Sequence, residues 1–147
     1  MKFPHTIRGV LKEKGNQVWT ISPTTRVYDA LALMAEKNIG ALVVVEDGRP
    51  LGVFSERDYA RKVILHGKSS KQLEVREIMT SPARCVGPQD TIDECMSTMT
   101  YSRVRHLPVL EDDRLVGIVS LGDMVRWIIS LQEDTIHQLE DYIRGKA

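Results

Sequence analysis

The sequence predicts an α+β protein built from two pseudo-symmetric β-α-β-β-α units packed as one module, with a long C-terminal helix. Three observations carry this expectation. The stretch LGVFSERDYAR, Leu51 to Arg61, returns 65 positions later as VGIVSLGDMVR, Val116 to Arg126, with Gly, Ser, Asp and Arg in register. Sliding the chain by the same offset also sets Pro23 on Pro88, Met34 on Met99, Leu42 on Leu107, Val44 on Val109 and Glu46-Asp47 on Glu111-Asp112, with no gap. A gapless self-match of this kind marks a duplicated structural unit. Finally, Met124 to Gly145 contains no helix breaker before Gly145. A single unit of about 48 residues is too small to bury a core alone, so the two should pack against each other as one module.

The elements follow in chain order. Thr6 to Lys14 reads as a short helix ending at Gly15, in an N-terminal extension spanning 1–17. The first unit, 18–66, opens with a short strand around Val18 to Ile21 and passes through Ser22-Pro23 into a helix. That helix carries Val27, Ala30, Leu31 and Met34 on one face at spacings of three and four. Ala41 to Val45 is a β-branched apolar strand, Glu46 to Arg49 a turn, and Leu51 to Phe54 a second strand. A polar linker, 67–77, should be looped with a helical turn near its end. The second unit, 78–131, repeats the pattern with a strand at Ala83 to Val86 and a helix faced by Ile92, Cys95, Met96 and Met99, its start marked by Thr91 and Glu94 as a capping box. The helix extension, 132–147, continues an apolar face of Val125, Ile128, Ile129, Ile136, Leu139, Tyr142 and Ile143. It either folds back on the module or covers a second subunit.

Composition narrows the function. The chain has 147 residues, 42% of them hydrophobic, and its 20 basic and 20 acidic side chains leave no net charge. General nucleic-acid binding needs a basic surplus and is not expected. No stretch approaches the roughly 20 apolar residues of a membrane span, and charges interrupt the start where a signal peptide would be apolar. Two cysteines, Cys85 and Cys95, form neither a disulfide framework nor a metal motif, which suits a reducing, cytoplasmic setting.

The repeated Ser-x-x-Asp admits two readings. Ser55 with Asp58, and Ser120 with Asp123, fit a capping box in which Ser caps a helix and an acid answers from the first turn. The box prefers the longer Glu or Gln, however, and a short carboxylate just past a strand end can instead accept two hydrogen bonds from a ribose diol. Gly52 and Gly117 would admit a ligand or another backbone, or mark a strand kink. Arg105 and His106 stand just before a buried strand, where a solvated face is the default and an anionic phosphate the functional alternative. Arg57 is a further candidate for the phosphate. An enzyme acting on a nucleotide would need a nucleophile and base; Cys85, His106 and Asp123 could be grouped so, but nothing in their spacing demands it.

Taken together, the Ser-Pro entry to the helix, the RHLPV strand, the Gly-to-Asp ending and the gapless duplication resemble a tandem pair of cystathionine-β-synthase (CBS) domains, a Bateman module of the stand-alone bacterial type, over about Val18 to Ser130. The resemblance implies a non-catalytic sensor that binds an adenine nucleotide (AMP, ADP, ATP or NAD) in clefts between the units. It implies a homodimer that modulates an unknown regulated protein, with no catalytic cofactor or metal and no nucleic-acid or membrane partner. Asp58 with Ser55, and Asp123 with Ser120, would take the ribose and phosphate. Val53 and Ile118 would line the base pocket, backbone near Thr20-Ile21 and Cys85-Val86 would meet adenine, and Pro108 belongs to the same strand region. Arg105 and His106 would serve the Asp58 cleft, while Ile39, Gly40 and Ala41 border the Asp123 cleft, making the two sites unequal. A module that dimerises without ligand is the remaining alternative.

Overall fold

The computed structural model describes residues 5–145. Helix α1 spans Ile7–Lys14. The first unit holds β1 (Thr20–Ile21), α2 (Val27–Lys37), β2 (Ala41–Glu46), β3 (Arg49–Ser55) and α3 (Glu56–Lys62); the second holds α4 (Ile92–Ser102), β4 (His106–Glu111), β5 (Arg114–Ser120) and α5 (Leu121–Ile143). Short 3-10 turns at Ile64–His66 and Val75–Glu77 lie between them. The expected α+β duplication is therefore present.

Its backbone repeats as closely as its sequence. Asn38 and Arg103, the residues that end α2 and α4, both adopt φ of 55°. The two hairpin turns repeat as well, with Asp47 and Gly48 at φ 52° and 76° and Asp112 and Asp113 at 51° and 63°. Two successive positive φ values match the right-handed twist of the strands they join. Both hairpins also carry an irregularity at the same place, between Val44 and Val45 and between Val109 and Leu110.

One strand is shorter than its sequence suggests. β1 pairs parallel to β2 through Thr20 and Ile21, but in the second unit only Val86 bridges Val109, in place of a strand over Ala83 to Val86. The preceding backbone is engaged elsewhere: the Ala83 N–H donates to the Leu51 carbonyl, and Thr80 pairs with Val53 in the other unit.

That crossing organises the core. Ile7, Val10 and Leu11 of α1 are buried with Ile92, Cys95, Met99, Leu107, Val109 and Val119 of the second unit. Backbone bonds from Ile7 to Asp90 and Arg8 to Pro88 fix them there. Reciprocally, Val75 and Ile78, on the approach to the second unit, are buried with Val27, Ala30, Met34, Leu42, Val44 and Phe54 of the first. The segment ahead of each unit thus packs on the other unit: Ile7, Val10 and Leu11 of the expected extension, and Val75 near the end of the largely polar linker, are core residues.

The two strand glycines serve this crossing. A Cβ on Gly52 would stand 2.7 Å from the Thr80 carbonyl oxygen, and one on Gly117 would stand 2.8 Å from a Leu11 methyl. The partner that approaches is protein from the preceding segment, not a ligand. The apolar face of α5 divides. Met124 is buried, Trp127 and Ile128 pack partly on the second core, and Val125, Ile129, Ile136, Leu139, Tyr142 and Ile143 are exposed.

Candidate functional site

Both Ser-x-x-Asp motifs close capping boxes. Asp58 accepts from the Ser55 backbone N–H at 2.9 Å while its own N–H donates to Ser55 Oγ at 3.2 Å. In the second unit the corresponding distances are 2.8 and 3.1 Å. The capping reading of both motifs holds, although the box more often uses Glu or Gln. At the third helical position, each Asp carboxylate lies directly beneath the cap residue's N–H.

The rest of each carboxylate differs. Asp58 also accepts from Ser55 Oγ at 3.1 Å and Thr80 Oγ1 at 2.9 Å, and forms an ion pair with the Lys62 ammonium at 3.1 Å. Asp123 accepts from Lys14 Nζ at 2.6 Å and from Arg126 as well as from the cap N–H, so each carboxylate takes three hydrogen bonds, but two of those on Asp123 come from cations. Lys14 lies 66 positions ahead of Thr80, so the two donors come from nearly equivalent places in the two crossing segments.

Each aspartate borders a cleft that both units build. Val53, Ser55 and Asp58 face Pro82 to Arg84 and Val104 to His106 across a space of about 40 Å³. This is room for a water or two. Ile118, Ser120 and Asp123 face Gln17 to Trp19 and Ile39 to Ala41 across a space of about 390 Å³, within the range of small-molecule sites.

The profile of the CBS domain matches residues 15–64 and 75–130. The chain belongs to the CBS-domain family. It is 39% identical over 150 aligned residues to a mitochondrial CBS domain-containing protein of Arabidopsis thaliana, covering 95% of this chain and 72% of that one. A solved protein with CBS domains from Burkholderia ambifaria is 48% identical with a TM-score of 0.81, covering 85% of this chain and 94% of that one. A CBS domain pair solved in complex with 5-methylthioadenosine and S-adenosyl-L-methionine shares the fold, at 22% identity and a TM-score of 0.75 over 87% of this chain and 98% of that one.

Within this CBS pair, Val53, Ser55, Asp58, Arg105 and His106 come together on the first cleft. Ile39, Gly40, Ala41, Ile118, Ser120 and Asp123 come together on the second, with His106 shared by both. Thr20, Ile21, Cys85 and Val86 line neither. Thr20, Ile21 and Val86 are committed to parallel pairing with β2 and β4, and the cleft walls are formed just ahead of them by Val18-Trp19 and Ala83-Arg84. Arg57 and Pro108 also line neither cleft; Pro108 is buried in β4 opposite Ile118. Sequence reasoning missed Lys14, Trp19, Lys37, Thr80, Arg84 and Arg126. Extending the 65-residue repeat upstream of Val18 would have aligned Gly15 with Thr80 and flagged both crossing segments.

Electrostatics sharpen the contrast. Burial raises the Asp123 carboxyl, but the Lys14 ammonium and the Ser120 donors outweigh it and hold the pKa below the ordinary value. Burial lowers the His106 pKa, and Lys14 and Arg105 add to the effect against the opposing pull of Asp123 and Asp58. His106 is therefore neutral near pH 7 and donates no charge-assisted bond, correcting the expectation from its residue type. Desolvation pushes the Cys85 thiol upward, away from the reactive thiolate, and Cys85 lines neither cleft occupied by His106. Among the described residues no cluster of His, Cys, Asp and Glu is able to hold a metal ion, and no helix is long and apolar enough to cross a membrane.

Proposed function

We propose that this CBS pair is a non-catalytic regulatory module that binds an adenine nucleotide, AMP, ADP, ATP or NAD, in the Asp123 cleft first. The carrying observation is the 390 Å³ space between the units, with the Asp123 carboxylate on one wall and Lys14, Lys37 and Arg126 around it. The ribose diol would take Asp123 in place of Lys14 and Arg126, Ile118 would meet the base beside Val18 and Trp19, and the freed cations with Lys37 would take phosphate. The Asp58 cleft has the same plan with Arg84 and Arg105, but must widen to admit a nucleotide. A fold neighbour in complex with adenosine compounds supports the choice of ligand family.

The exposed α5 stripe supports a homodimer, since Ile136, Leu139, Tyr142 and Ile143 extend an apolar face beyond what one module covers. Ligand in a cleft walled by both units and by α1 would alter their packing, and so the surface offered to a regulated protein in the cytoplasm.

Thermal denaturation across adenine and guanine nucleotides tests the reading. A ligand bound only by the folded state stabilises it by RT ln(1 + [L]/Kd), about 2.7 kcal/mol at 100 times Kd. Adenine nucleotides should raise the melting temperature and remain chemically intact. Turnover of the nucleotide would favour an enzyme, and no shift with any nucleotide would favour a module that only dimerises.

A further inference from the structure

Building on the nucleotide reading, we propose that the Asp123 cleft selects an adenine nucleotide bearing at least two phosphates, and that Lys14, Lys37 and Arg126 set this selectivity. The lining holds these three cations against one acid, Asp123, a formal balance of three minus one, or +2. The lining of the Asp58 cleft holds Arg84 and Arg105 against Asp58, two minus one, or +1; its carboxylate takes the uncharged Thr80 hydroxyl where Lys14 stands in the other, and Lys62, which pairs with it, lies outside the lining.

The three cations have hydrogens to spare. Lys14 Nζ spends two of its three donors on the Ile118 carbonyl at 2.5 Å and Asp123 Oδ2 at 2.6 Å. Arg126 reaches Asp123 through one nitrogen of a guanidinium that has five N–H donors, and its side chain is 73% exposed. Lys37 Nζ stands over the Trp19 ring, 4.4 Å from the centroid, and its acidic neighbour Glu36 is 3.7 Å away. It joins no hydrogen bond to the carboxylate that Lys14 and Arg126 share.

This arrangement assigns different work to each cation. When a ribose diol competes for Asp123, Lys14 and Arg126 are the groups displaced, and both can turn to the phosphate nearest the ribose. Lys37 sits across the cleft, at the C-terminal end of α2, where a second phosphate would be its natural partner. A neutral thioether nucleoside leaves all three unmatched, and a sulfonium such as S-adenosylmethionine adds a fourth positive charge. The neutral His106 adds none.

Calorimetric titration of the intact protein with ADP, AMP, adenosine and S-adenosylmethionine separates the possibilities. ADP is expected to bind on the order of tenfold or more tighter than AMP, as one extra charged hydrogen-bonding partner would give, with the gap closing as salt rises. Lys37→Ala should bring ADP close to AMP without moving adenosine, and Lys37→Arg should restore the gap. Circular dichroism of each variant verifies its fold. Adenosine or S-adenosylmethionine binding as tightly as ADP overturns the selectivity while leaving the adenosine-ligand reading standing. Failure of all four compounds to bind overturns both.

Discussion

Replacing Asp123 by Asn should destabilise the protein by about 2 kcal/mol at pH 7. The amide oxygen can still accept from the Ser120 N–H, so the cap geometry survives; what disappears is the charge facing Lys14 and Arg126. Asp123 is 7% exposed, and its bond to Lys14 is 2.6 Å long. A hydrogen bond between charged groups contributes about 1.5–3 kcal/mol. The Lys14 side chain, 30% exposed, keeps part of its hydration, and the largely exposed Arg126 adds about 0.5 kcal/mol or less. For a chain of this size the loss corresponds to roughly 4–8 °C in melting temperature. The sign with pH is fixed by the depressed folded pKa of Asp123. Its contribution is complete above the unfolded value near ~3.9 and is lost as the pH falls through the lower folded value. Urea denaturation of parent and variant should therefore show a constant gap from pH 5 to 8 that shrinks below about pH 4. A gap below 0.5 kcal/mol at pH 7, or one unchanged in acid, would refute this account of the ion pair.

Gly52→Ala should cost about 1–3 kcal/mol, because its Cβ meets a backbone oxygen, and should exceed Gly117→Ala, whose Cβ meets a flexible leucine end; thermal melts that rank them oppositely would remove the crossing explanation. The His106 ring should titrate below ~6.5 by NMR, and its contribution to stability should be full above that pH and decline as the pH falls toward the folded value. A midpoint at or above ~6.5 would contradict its burial beside Lys14 and Arg105. Deleting residues 132–147 removes Ile136, Leu139, Tyr142 and Ile143 and should shift the mass measured by light scattering from that of a dimer toward that of a monomer; a truncated chain that still has the mass of a dimer would take the helix out of the interface.

The duplication was legible because it is written residue by residue. The periodic faces of α2 and α4 and the paired turns could be read without structure, since burial requires Val27, Ala30 and Met34, and Ile92, Cys95 and Met99, at helical spacing. What escaped was tertiary. Nothing local in Ile7 to Lys14 says that this helix packs on the second unit rather than the first, yet that crossing brings Lys14 to Asp123. The Asp residues were singled out, but their capping role was judged from side-chain length, whereas the helix's own geometry places them. His106 was read from its type, although its charge state is decided by burial and by two cations that the fold assembles. The relative size of the clefts has no signature in any one segment, because each cleft is built by both units.

The central claim is that the Asp123 cleft is the first adenine-nucleotide site, and titration calorimetry of ADP into the parent, Asp123→Ala and Asp58→Ala tests it most directly. The account predicts that the parent binds, that Asp123→Ala loses on the order of tenfold or more in affinity for want of its charged acceptor, and that Asp58→Ala stays near the parent at the first site. Equal affinities in all three proteins, or a loss confined to Asp58→Ala, would contradict it.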